Sequence, residues 1–454
     1  MGTLDRVALC VSLLCLAIVR AQSAADVPVI TAGTDDGMER WGYVQVLPKA
    51  HLFWWYYKSP QRTSTPGNPW PTVLWLQGGP GSSGIGAGNF MEVGPLDVNL
   101  QPRNSTWLHK ADLIFVDNPV GVGYSYVEDD SLLVTTDWQA AADMMAVLKA
   151  LVEEVPTLQN NPLFLVAESY GGKYAATLGL SIARAIIAGE IDIKLGGIAL
   201  GDSFISPLDF TLSYAPLLRH ISRLDDAGAN EVNKKAQTVK ELMAAGNFTG
   251  AQRAWSSVLS SMDANSSTVD VYNFMLDGRL DPVVHPPNSS ATGPRHLTAY
   301  SAVGRSKTVI EDILNGVIKE MLKVVPKGIV WQEVNYTVYG ALIGEIMKPR
   351  IKEIDELLAL GVNVTVYNGQ LDVVCSTMGA EAWVRRLKWG GLKKFLSEPR
   401  QPLYSGPNNA TQAFVRSYKN LHFYWILGAG HFVPIDQPCI AVSMIGNITQ
   451  PPAP

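Results

Sequence analysis

The segment Leu163-Phe164-Leu165-Val166-Ala167-Glu168-Ser169-Tyr170-Gly171-Gly172 carries a strand-like apolar run into a serine between small residues, then into a helical pattern reaching about Ala188. A strand that turns sharply into a helix strains the residue at the turn and leaves its side chain exposed. Small residues two positions to either side let strand and helix approach. Ala167 and Gly171 hold those positions around Ser169. The competing reading is an ordinary strand-to-helix turn in which Ser169 caps the helix. A phosphate-binding Walker loop fails at Ala167 and at Tyr174.

Outward from this unit, similar β-rich runs recur at Thr72–Leu76, Asp112–Asp117, Gly197–Gly201, Val362–Tyr367 and Leu421–Leu427. Helical patterns separate them, among them Asp137–Glu154, which Pro156 ends. Strand, helix and strand in repetition predict an α/β fold with a mostly parallel central sheet flanked by helices. From about Phe204 the pattern turns helical and polar, so 204–330 is expected to be a helical insertion, or cap, between core parts at 26–203 and 331–454. Within it, 288–307 is rich in Ser, Pro, Gly and basic residues and reads as a protease-sensitive loop. No repeat of fixed period is visible, so solenoids and propellers find no support.

A serine nucleophile needs a base, and the base needs a carboxylate to orient it. On such a sheet the chain order is serine, acid, histidine. Asp372 follows the run Val362–Tyr367 by way of Asn368-Gly369-Gln370, at the carboxyl end of a strand, where α/β sheets build their sites. Two histidines come after it. His422 falls inside the last strand pattern and reads as a packed or edge residue, whereas His431 follows that strand through Gly428-Ala429-Gly430 and is the better base. The loop Leu76-Gln77-Gly78-Gly79-Pro80-Gly81 follows an early strand and brings backbone N–H groups toward a developing oxyanion, like the matching loop of α/β hydrolases. A plain glycine-rich turn is the alternative for that stretch.

Four blocks in order, Trp75 to Ser83, Asp117 to Tyr126, Glu168 to Gly172 and Gly430 to Pro434, resemble the signatures of the serine carboxypeptidases, and the resemblance covers most of the chain. It implies an α/β-hydrolase fold with Ser169 as nucleophile, His431 as base and Asp372 as orienting acid. The N–H groups of Gly79 and Tyr170 would form the oxyanion hole. Gln77, Gly78, Glu92 and Glu168 would grip the substrate's C-terminal carboxylate. The chain departs from the pattern at Gln77, where the family usually has Asn, and at Ala167, where it usually has Gly; Ser82 stands where many members have a disulfide cysteine. Cys375 matches a cysteine that some members keep near the active site. The expected activity is serine-type exopeptidase action on peptides with a free C-terminus, through an acyl-enzyme and without a cofactor. Two glutamates beside a substrate carboxylate predict a preference for acid. Other readings are a weakly active or inactive member serving as a binding or protective partner, motivated by Gln77 and Ala167, and an esterase or acyltransferase on the same site.

The rest of the sequence bounds these readings. Charged residues make up 17% of the 454, and the net charge of −5 is spread along the chain, which supplies no basic stripe for nucleic acid. Arg6, the apolar run Val7–Val19 and the small residues after it read as a secretory signal over about residues 1–25, too short to span a bilayer. A secreted or lysosomal glycoprotein is expected, with sequons at Asn104, Asn247, Asn265, Asn288, Asn335, Asn409 and Asn447 as candidates and Asn363, in a strand-like run, as one that stays bare. Cys10 and Cys15 leave with the signal, and Cys375 and Cys439 are expected to remain thiols. No metal is expected, because HExxH and CxxC spacings are absent. No membrane insertion is expected, and a homodimer is compatible with the sequence.

Overall fold

A computed structural model describes residues 29–63, 68–278, 306–405 and 410–452. The expected signal, most of the loop at 288–307, Asn288 and Asn409 lie outside the described residues. Twelve strands make one sheet: β1 (Val29–Gly33), β2 (Glu39–Leu47), β3 (Ala50–Tyr57), β4 (Thr72–Leu76), β5 (Asp112–Val116), β6 (Tyr126–Val127), β7 (Pro162–Glu168), β8 (Lys194–Gly201), β9 (Val364–Gly369), β10 (Gln401–Ser405), β11 (Ala410–Tyr418) and β12 (Leu421–Ile426). Their order is β1-β2-β3-β5-β4-β7-β8-β9-β12-β11-β10, with β6 paired to β3. The stretch from β5 to β12 is parallel, and antiparallel strands close both flanks. The chain thus has the α/β-hydrolase architecture.

Alternation along each strand sends side chains to two separate cores. Leu74, Leu76, Leu163, Leu165, Ile198, Leu200 and Val366 face one side; Val73, Trp75, Phe164, Val166, Ala199 and Tyr367 face the other. Strands buried on both faces read as continuous apolar runs. Each Leu or Phe so buried contributes about 1.5–3 kcal/mol. The first core is covered by helices α1 (Asp137–Glu154) and α2 (Gly171–Ala188). Helix α1 begins where the Thr136 hydroxyl accepts the Gln139 N–H, and α2 stops at Gly189, which adopts φ 72°.

The excursion between β8 and β9 divides its helices between the two faces. Helices α3 (Pro207–His220), α4 (Asp226–Ala244) and α5 (Phe248–Asn265) pack with the first core, through Phe210, Tyr214, Val239 and Trp255. Helices α6 (Ser306–Asn315) and α7 (Val317–Leu322) join the second, through Ile310, Leu314 and Ile318. The chain then returns through α8 (Tyr336–Ala341) and α9 (Ile351–Ala359), the latter packed on the first core. A last helix, α10 (Pro438–Thr449), covers the second. Among the described residues, no helix is long and apolar enough to cross a membrane. Cys375 is buried, Cys439 is exposed, and both are free.

Candidate active site

The turn from β7 to α2 holds Ser169 at φ 59°, a conformation a non-glycine residue keeps only when its surroundings enforce it. Three backbone bonds do so: Ser169 donates to the Gly201 carbonyl at 3.0 Å, and its own carbonyl accepts from Gly172 at 3.1 Å and Phe204 at 2.9 Å. Two glycines allow the close approach. A Cβ on Gly171 would stand 2.0 Å from the Leu76 oxygen, and one on Gly78 would stand 2.6 Å from the Ser169 Cβ. Ala167, by contrast, is fully buried between β4 and β8, and its methyl belongs to the first core.

Asp372 and His431 arrive from the ends of two paired parallel strands, β9 and β12. His431 Nδ1 lies 2.8 Å from Asp372 Oδ2, and both side chains are buried. A proton on Nδ1 donated to that carboxylate leaves Nε2 as the acceptor. The other Asp372 oxygen accepts the Cys375 N–H at 3.2 Å. Cys375, Ser169, Gly79 and Tyr170 line one cavity whose other walls are apolar, including Phe204, Trp255, Tyr272 and Tyr339. Tyr272 ties His431 to this cavity, because its carbonyl accepts the His431 N–H at 2.8 Å and its ring lies 5.0 Å from the imidazole. His422 sits elsewhere, half-buried on β12 and 2.9 Å from the Ser417 hydroxyl of β11.

The N–H groups of Gly79 and Tyr170 meet no protein acceptor among the described residues. Asp117 holds the segment around them. Its buried carboxylate accepts from the Ser83 hydroxyl, from the Ile85 N–H at 3.1 Å and from the Tyr124 N–H at 2.8 Å. Burial pushes this acid up to about 6 in spite of those donors. The π-helical segment Ile85–Val93 that follows carries Glu92 inward.

Glu92 and Glu168 meet in the interior, each about 1% exposed. The Trp75 indole donates to Gln77 Oε1 at 2.6 Å, and the Gln77 amide donates to Glu168 Oε1 at 2.9 Å. The longer Gln side chain therefore bridges Trp75 to Glu168. Both oxygens of Glu92 and Oε2 of Glu168 lack a donor, since two carboxylates offer each other none. A proton on either closes a bond between them. Burial, then the neighbouring carboxylate, holds Glu168 well above the usual carboxylate range, and burial pushes Glu92 up to about 7.

The sequence reading did not single out Asp202, Tyr272 or Trp75. Asp202 stands at the carboxyl end of β8 as Asp372 stands after β9, and that shared placement was the available signal. Tyr272 and Trp75 carry no chemistry in their own motifs and matter only through their neighbours.

Comparison with known proteins bears on the family and the fold. A family model described as serine carboxypeptidase matches residues 28–450. Serine carboxypeptidase-like 51 of Arabidopsis thaliana is 51% identical over 429 residues, covering 92% of this chain and 93% of its own. The human retinoid-inducible serine carboxypeptidase is 42% identical over 426 residues, covering 93% of this chain and 94% of its own. Among solved structures, the prohormone-processing carboxypeptidase Kex1(delta)p of Saccharomyces cerevisiae superposes with a TM-score of 0.73 at 22% identity, over 88% of this chain and 87% of that one, a likeness of fold. The chain belongs to the serine carboxypeptidase family, and it is a serine-type exopeptidase acting at peptide C-termini.

Proposed function

We propose that Ser169, activated by His431 and Asp372, attacks the last peptide bond of substrates whose terminal carboxylate is gripped by Gln77, Gly78, Glu92 and Glu168. His431 Nε2 takes the Ser169 proton and returns it to the leaving amine. The N–H groups of Gly79 and Tyr170 receive the oxyanion. The acyl-enzyme then yields to water by the same steps in reverse order. The observation that carries the reading is the buried Glu92–Glu168 pair, two acids in contact with three of their four oxygens lacking a donor among the described residues. A third carboxylate from substrate is acceptable there only if the pair holds a proton, and a protonated glutamate donates a hydrogen bond to it.

Peptide binding should therefore weaken as pH rises through the pair's raised range, and peptide hydrolysis should favour acid. Substrates without a free carboxylate escape this requirement. Parallel pH profiles of kcat/KM for a peptide and its amide test it: the peptide profile should fall first on the alkaline side, while the amide persists. Coincident decline of the two above pH 6 would remove the glutamates from the carboxylate grip. Glu168→Gln, a neutral donor at every pH, should flatten the difference.

The secretory route and glycosylation belong to the same proposal. Asn104, Asn247 and Asn447 are exposed, which supports glycans there; Asn265 is exposed too, but its amide nitrogen donates to the Ser261 carbonyl at 2.9 Å, which counts against one. Asn335 is half-buried, and its amide nitrogen, the atom a glycan requires, donates to the Gly121 carbonyl at 2.7 Å. It is assigned as bare. Mass spectrometry of deglycosylated peptides reads each site.

A further inference from the structure

Behind the Asp372–His431 pair lies a second buried carboxyl that the mechanism above leaves unused. Asp202 follows β8 directly and is 0% exposed, at φ 40°. Its backbone N–H donates to the Tyr367 carbonyl at 2.9 Å, fastening it to β9. One oxygen, Oδ1, accepts from the Gly369 N–H at 2.9 Å and from the Asn368 amide at 3.2 Å. The other, Oδ2, has no donor. It faces Asp372, close enough for one proton to bridge the two side chains. Asn368 is in turn fixed by donating to the Cys375 carbonyl at 2.7 Å, so both acids are held by the same short turn.

We propose that Asp202 is a positioning residue which stays protonated and donates its O–H to Asp372, spreading the negative charge that Asp372 presents to His431. The proposal rests on the triad reading given above. The donors at Oδ1 leave Oδ2 as the atom that carries the proton, with the Asp372 carboxylate beside it as acceptor. The groups facing Asp202 are Asp372 and Cys375 from the segment after β9, Tyr367 on β9 and Glu168 on β7. None is a cation, and the Gly369 and Asn368 donors at Oδ1 alone favour a charged Asp202, outweighed by burial and by Asp372. Burial, then Asp372, holds its carboxyl well above the usual range.

The consequence concerns the acid side of catalysis. A full charge on Asp372 draws a proton onto His431, and a protonated imidazole cannot act as base. A hydrogen bond from Asp202 lessens that draw, so the base becomes available at lower pH. An exopeptidase whose substrate grip requires acid thereby keeps a working base under the same conditions.

The test uses a substrate without a free carboxylate, so that the Glu92–Glu168 pair does not enter. Asp202→Ala should move the acidic limb of its kcat/KM profile up by about one pH unit, and lower the plateau by about tenfold. Asp202→Asn retains a neutral donor at the same atom and should bring limb and plateau back toward the wild type. Thermal unfolding confirms that each variant is folded at the assay temperature. An Asp202→Ala limb coincident with the wild type, or an Asp202→Asn limb displaced as far as that of Asp202→Ala, overturns the proposal. Asp372→Ala separates the layers. If it abolishes turnover while Asp202→Ala leaves the limb in place, only the role of Asp202 falls; if it retains turnover, the triad reading falls as well.

Discussion

Two clusters of buried charge flank Ser169, one on either side along the chain, and they are built on opposite rules. On the helix side, Lys173 is fully buried on α2, 3.4 Å from Asp137 and donating to the Glu345 carbonyl at 2.6 Å. Asp137 also accepts from the Tyr170 hydroxyl at 2.7 Å and from Arg350 at 2.8 Å, and Arg350 and Lys348 both pair with Glu345. Each acid there meets a cation. On the strand side, Glu168 faces Glu92, and Asp202 faces Asp372, acid against acid. A buried ion pair with full hydrogen bonding is satisfied with both partners charged, whereas a buried acid pair is satisfied only by a proton or an incoming group. The first arrangement fixes a wall, and the second leaves a demand that a proton can fill.

The strongest test of that division is loss of the reaction without loss of either cluster. Ser169→Ala and His431→Ala should each lower kcat by about 10⁴-fold or more, with the thermal midpoint close to the wild type. Substantial residual turnover in either would move the chemistry away from the turn between β7 and α2. Asp137→Ala attacks the compensated cluster and leaves Lys173 and Arg350 buried without their shared acid. It should cost about 3–5 kcal/mol of stability, read from denaturant unfolding. A loss below about 1 kcal/mol would mean that the helix-side network does not hold the wall.

The uncompensated acids set how stability responds to pH. Asp117 at about 6 and Glu92 at about 7 hold protons in the folded chain that the unfolded chain has released above pH 4 to 5. Folded protein binds more protons in that window, so stability is highest near its lower edge and falls as pH rises through 6 and 7. Each of the two groups contributes a fall of about 3 kcal/mol across its window. Half-buried His51 and His422, held low by burial, push gently the other way. Exposed Asp226 and Glu231, held low by their hydrogen bonds, lose their contribution only in stronger acid. A higher thermal midpoint at pH 8 than at pH 5 would refute the assignment. The smallest effect belongs to His422→Ala, which should stay within about threefold in kcat/KM and about 1 kcal/mol in stability, since the side-chain hydrogen bond of this histidine is to Ser417 on the neighbouring strand and not to the site.

The parallel strands could be read from the sequence because each is an isolated apolar run between turn residues, and the order of Ser169, Asp372 and His431 followed from where those runs end. The antiparallel flank could not. Ala50–Tyr57 is a nearly unbroken aromatic run buried on both faces, and neither its period nor its length separates strand from helix. Asp202 stayed hidden because its partner lies across a strand pairing that joins residues roughly 160 positions apart. Lys173 gave no warning either, as a lysine on a helix ordinarily faces water. A change of pattern from about Phe204 could be read from the sequence, but how the helices between β8 and β9 divide between two faces of the sheet depends on tertiary packing alone.

That division has a further consequence for how this scaffold can diversify. The proposed reacting groups Ser169, Asp372 and His431 follow the ends of strands β7, β9 and β12, whereas Trp255, Tyr272 and Tyr339 of the cavity come from the long excursion between β8 and β9. Chain closure over such an excursion grows only logarithmically with its length, so helices there can be exchanged, lengthened or trimmed at little entropic cost. Chemistry and selectivity are thereby inherited on separate parts of the chain. A new side-chain preference can evolve through α5 and α8, which line the cavity, while the strand ends that carry the proposed triad pass unchanged from ancestor to descendant.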